Sequence, residues 1–132
     1  MSRDTITNAV LELAGVLAPA GSPAVSGVTQ VYDHEPAPGQ MAKPTSVTVA
    51  WSGTEPDFWT LNVRVYQTTD IDAASAARNL EAVSQAIDIL LEPHWGPAEW
   101  TAELDPELGA LVATCRVLVG REDGKLRIGG GL

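Results

Sequence analysis

Two period-two runs that meet at a turn constrain this chain more than any other feature. Over residues 45–51, Val47, Val49 and Trp51 fall on one side and Ser46, Thr48 and Ala50 on the other. Turn formers fill residues 52–57, after which Trp59, Leu61, Val63 and Val65 alternate with Thr60, Asn62, Arg64 and Tyr66. Successive strand side chains point to opposite faces, so the runs predict an antiparallel hairpin with one buried face. A lone hairpin is marginal in water, and other elements must cover it.

Two segments carry the helical period instead. Ile6, Val10, Leu13 and Leu17 lie on one face of a predicted helix over 5–17, which Ser2 or Asp4 can cap. A second helix is predicted from about 72 to 91, with Asp70 or Asp72 as cap and Pro93 as its stop. Its stripe is Ala73, Ala76, Leu80, Val83, Ile87, Leu90 and Leu91, while Arg78, Glu81, Gln85, Asp88 and Glu92 face out. Each large aliphatic side chain buried there contributes about 1.5–3 kcal/mol before entropy is counted, so this helix is expected to be the main cover of the sheet.

Around these elements the pattern is weaker. Val28, Val31 and Tyr32 suggest a short strand within 27–33, and the prolines of 34–44 predict a loop. Residues 94–109 are acidic and rich in turn formers; Trp95 and Trp100 in that loop either cap the core edge or anchor a partner. Leu111, Ala113, Cys115, Val117 and Val119 then alternate with Val112, Thr114, Arg116 and Leu118 in a final strand over 110–119. The order predicts an α+β fold: a largely antiparallel four-stranded sheet with two helices packed on one face. Residues 1–120 would form this single domain, and 121–132 a flexible or partner-ordered tail. The neighbour of the last strand, parallel pairing included, stays open.

Few residues point to chemistry. His34 and His94 lie far in sequence from each other and from the single Cys115, so no zinc spacing is present, and Cys115 falls mid-strand on a predicted buried face with no local base. Gly129 to Gly131 lacks the strand and helix that a phosphate loop needs, and Glu103, Asp105 and Glu107 read as a solvated acidic loop. No catalytic, cofactor-binding or metal residue is expected. The apolar stretch 13–32 is broken by Pro19, Pro23 and three glycines, and the N-terminus has no signal-peptide pattern, so no membrane association is expected. The net charge of −9 is uneven: nine acids against Arg78 between Asp70 and Gly109, then more bases than acids from Val112 onward. Such polarity suits surfaces that meet head to tail and argues against sequestration on nucleic acid, although a solvated acidic helix explains the first part equally well.

Val31-Tyr32-Asp33 before Pro36 and Pro38, the runs from Pro44 to Val49 and Trp59 to Val65, the Asp-capped long helix, Gly96-Pro97 before Trp100, residues 105–109, and Gly120-Arg121-Glu122-Asp123 together resemble the tail-terminator family of long, non-contractile-tailed bacteriophages. The likeness covers most of the chain and lies in the order and character of the elements. It implies a non-enzymatic virion protein of the tail-neck region, assembled in the host cytoplasm. Six copies would form a ring that caps the tail tube, stops its polymerisation and joins it to the head connector. The implied partners are further copies of the chain, the tail tube protein and the head–tail connector protein, with DNA passing through the lumen without specific binding; acid lining that lumen would repel it. Candidate contacts are Asp33, His34, Glu35 and Lys43 in the proline-rich loop, Trp95 and Trp100, and Arg121, Glu122 and Asp123. A different neck protein, or a small ligand-binding α+β domain lined by Trp51, Trp59 and His34, would carry much of the same pattern.

Overall fold

The computed structural model describes residues 3–37, 39–69, 72–96, 99–107 and 109–128. Ser2, Asp70, Pro97, the Gly129 to Gly131 run and Leu132 lie outside them, as does the side chain of Asp4. Helix α1 (Arg3–Leu17) is followed by a single 3-10 turn at Pro19–Gly21. Next come strands β1 (Gln30–Tyr32), β2 (Thr45–Thr54) and β3 (Phe58–Thr68), helix α2 (Ala73–Trp95), and strands β4 (Trp100–Asp105), β5 (Ala110–Gly120) and β6 (Leu126–Ile128).

The sheet differs from the expected one. Six strands form a mixed, curled sheet in the order β1-β2-β3-β5-β4, with β6 pairing β5 as well. β1 runs parallel to β2, so the expectation of a largely antiparallel four-stranded sheet is overturned. Parallel neighbours require the chain to return to its starting end, which takes about a dozen residues; the proline-rich stretch 33–44 makes that return, with no helix among its described residues. The hairpin forms as predicted, Val47 facing Val65 and Val49 facing Val63, and β5 pairs antiparallel along the other edge of β3 from Phe58–Gly120 to Thr68–Ala110.

Strands β4 and β6 were missed for separate reasons. In β4, Trp100, Ala102 and Leu104 alternate with Thr101, Glu103 and Asp105, but the acids and flanking turn formers mask the period. β6 is three residues long and lies within the segment expected as a tail, yet it pairs with Val117 to Val119 of β5, and Leu126 is buried in the core. Because β3 occupies one edge of β5, β4 and β6 share the other, β4 along residues 110–115 and β6 along 117–119.

The core lies between the sheet and the two helices. Leu13 and Leu17 of α1 and Leu80, Val83, Ile87 and Leu91 of α2 pack on Val47, Val49, Leu61, Val63, Val65, Cys115, Val117 and Val119. Asp72 caps α2: its Oδ1 accepts from the Ser75 backbone N–H at 3.0 Å and its Oδ2 from the Ser75 hydroxyl at 2.7 Å. The helix passes Pro93, where the sequence predicted its end, because a proline in the last turn removes only one bond; Gly96, at φ 91°, ends it instead by donating to the Glu92 carbonyl. Trp51 also departs from expectation. Although its alternation puts it on the core face, the core of β2 stops at Val49, the register shifts between Trp51 and Gly53, and the indole is 55% exposed.

Candidate interaction surfaces

The expected contact residues separate into distinct places. The first is the hairpin end of the sheet, where the β2–β3 turn meets the β5–β6 turn. Arg121 joins them: its guanidinium Nη1 donates to the Glu55 and Pro56 carbonyls, both at 3.3 Å, its backbone N–H donates to the Asp57 carbonyl, and its Cζ lies 5.7 Å from the Trp59 ring centre. Asp123 shapes the second turn by accepting from the Lys125 backbone N–H at 2.9 Å. It lies so close to Gly120 that a Cβ there would sit 2.2 Å from its Oδ1, so only glycine fits without a shift. Glu122 is exposed at the same tip. Between Arg121, Glu122, Asp123, Asp57 and Lys125 lies a hollow of about 270 Å³ with charges of both signs.

The second place is the proline-rich loop. Asp33 and His34 are exposed and bonded to each other, Nδ1 to Oδ1 at 2.9 Å. Glu35 does something the sequence did not suggest. Its carboxylate turns back onto the helix-free face of the sheet, where Oε1 accepts from the Thr48 hydroxyl at 2.6 Å and from Arg64 at 3.3 Å, and Oε2 accepts from the Tyr66 hydroxyl at 2.8 Å. Burial, reinforced by that bond to a carboxylate, pushes the Tyr66 phenol up to about 12. Tyr32 holds the loop from its other side, its hydroxyl accepting from the Ala42 N–H at 3.0 Å. Glu35 is thus tied within its own chain, and nothing in the local sequence pattern could have told it from its exposed neighbours. Lys43 lies where the loop returns to the sheet, its carbonyl accepting from Thr29 Oγ1.

Residues 43–44 and the tip at 121–123 are at opposite ends of the sheet. Thr68 at one end of β3 donates to the Pro44 carbonyl, while Phe58 at the other pairs with Gly120. Ten strand steps separate them, about 33 Å at ~3.3 Å per residue. Trp95 and Trp100 are each partly buried. Both pack against the core, the Trp95 ring lies 5.1 Å from that of His94, and the Trp100 indole N–H donates to Asp88. Trp59 and His34, joined with Trp51 in the ligand-pocket alternative, line separate hollows.

Cys115 is fully buried on the inner face of β5, and loss of solvation, with the Asp88 carboxylate adding to it, pushes its thiol up to about 12. Among the described residues no group of three or more histidine, cysteine or acidic side chains is placed to hold a metal ion, and no helix is long and apolar enough to cross a membrane. Compared with protein-family models, with curated proteins and with solved structures, the chain matches none.

Proposed function

We propose that this chain is a structural virion subunit of the tail-terminator kind, six copies of which form a ring that caps the tail tube, stops its growth and joins it to the head connector. The observation that carries the reading is the placement of two unlike surfaces at opposite ends of one rigid sheet. A ring subunit that sits between two different partners needs two different axial faces, one for the tube below and one for the connector above; the ring itself closes through separate lateral contacts between copies. The hairpin end offers Arg121, Glu122 and Asp123 on turns stiffened by Arg121, and the crossover end offers the loop around Lys43. The sequence resemblance to tail terminators supplies the identity of the partners.

The Glu35 anchorage serves the same reading. A loop that contacts a neighbouring ring must keep its shape before the partner arrives, and tethering it to β2 and β3 lowers the entropy lost on binding. The test is to mix the purified chain with isolated tail tubes and image the ends by negative stain. Rings seated on tube ends, with tube growth arrested at one length, are the expected result; a chain that leaves tube ends bare and growing would refute the proposal.

A further inference from the structure

The inner face of β4 is the part of the helix side of the sheet that α2 covers least, touching it through Asp88 and Trp100. α2 packs over β3, β5 and β6, and the sheet continues one strand further. Trp100, Ala102 and Leu104 alternate onto that face, opposite Cys115, Ala113 and Leu111, and leave an open groove of about 570 Å³ between β4 and α2. Leu104 is 57% exposed in it. Among the described residues no cation lines the groove; its acids are Glu81 and Asp88 of α2 and, at the rim on the alternate side of β4, Glu103. The indole of Trp100 closes one end by donating to Asp88. β4 is also a terminal strand: β5 pairs along one edge, and no described strand pairs along the other.

We propose that this edge and groove together dock an extended segment of another protein, one that alternates apolar residues with lysine or arginine and adds to β4 as a further strand. Open strand edges carry unsatisfied backbone groups that a partner strand satisfies, and pockets for alternate side chains then provide selectivity. On the inner face, the apolar side chains of the added strand lie beside Ala102 and Leu104 and close the groove against α2. On the outer face, its cations stand beside Glu103, where opposite charges on neighbouring strands attract.

No described segment of this chain supplies it to a second copy. Among the described strands β1 and β6 also have an open edge; β1 reads Gln30-Val31-Tyr32 and leads into Asp33 and Glu35, which would bring carboxylates to an acidic site. β4 set against β4 would oppose acid to acid. The run with the right alternation, Lys125-Leu126-Arg127-Ile128, pairs β5 along one edge and buries Leu126 in its own core, so that apolar side chain is not free to close the groove of a second copy. A different protein is therefore the occupant. The site goes beyond the ring reading and does not depend on it.

The test titrates the 15N-labelled full chain with a capped nine-residue peptide alternating valine and lysine. Saturable amide shifts and slowed hydrogen exchange within residues 100–105 are the expected result. Glu103→Lys should weaken binding at least tenfold and Leu104→Asp should abolish it, whereas Ile89→Asp, at an exposed position outside the groove, should leave it unchanged. Equal binding of a valine–glutamate peptide, shifts confined to other strands, or no shift at millimolar peptide would each overturn the proposal. Because the readout is peptide on isolated chain, a failure here leaves the tube-capping result untouched, and the converse holds.

Discussion

Three side chains show how local environment sets behaviour at the scale of single residues. Thiolate is the reactive form of cysteine, and at Cys115 both burial and Asp88 oppose its formation. Native protein at pH 8 should therefore resist a thiol reagent that labels one equivalent in denaturant; rapid native labelling would show that β5 is exposed. Asp72 is held below its ordinary value of 3.8 by the hydroxyl and N–H of Ser75. A carboxylate with a lowered folded pKa stabilises the fold at pH above its unfolded value, and that contribution disappears as pH falls through the folded one. Asp72→Ala should thus lower the melting temperature at pH 7 and make progressively less difference below pH 4, as thermal melts across that range would reveal. Glu35→Ala would leave the buried Thr48 hydroxyl and the Tyr66 hydroxyl without their acceptor. Losing bonds to a charged but partly exposed group costs about 1–3 kcal/mol, measurable by urea denaturation, with faster proteolysis in 33–44 as the accompanying sign.

At the scale of elements, α2 rests on its stripe, since Ile87 and Leu91 are fully buried while Gln85 is exposed. Ile87→Asp places an unpaired carboxylate in the core, a penalty of several kcal/mol that a domain of this size does not survive, whereas Gln85→Asp should melt within a few degrees of the parent. Circular dichroism of the two variants separates the cases. The helices, the hairpin and β5 were legible in the sequence because each buries one continuous face and so shows a clean period. β1 falls within the short strand expected over 27–33, but its parallel pairing, and β6 altogether, depend on partners distant in the chain and on runs of three residues that are too short for a period. β4 has the alternation, but half of it faces a groove and half faces solvent, so the acids of Thr101 to Asp105 outweigh its apolar face. Trp51 shows the opposite error: its parity was right, but parity does not say where helical cover stops.

For the whole molecule, the sheet provides the rigidity and its margins provide the surfaces. Pairing to a single central strand, β5, ties β3, β4 and β6 into one body, so the hairpin end and the crossover end hold a fixed separation. Of the candidate contacts, Arg121, Glu122 and Asp123 share one turn at that hairpin end, as neighbours in sequence do. The tie of Glu35 to Thr48 and Tyr66 was not legible, because contacts between residues more than ten positions apart leave no local trace. A subunit that builds a six-membered ring should associate with itself at the concentrations where rings form. The measurement that tests this most directly is the solution mass by multi-angle light scattering across a concentration series. The account predicts a concentration-dependent species at six times the 13.9 kDa chain mass; a single-chain mass at every concentration, unchanged when tail tubes are added, would contradict it.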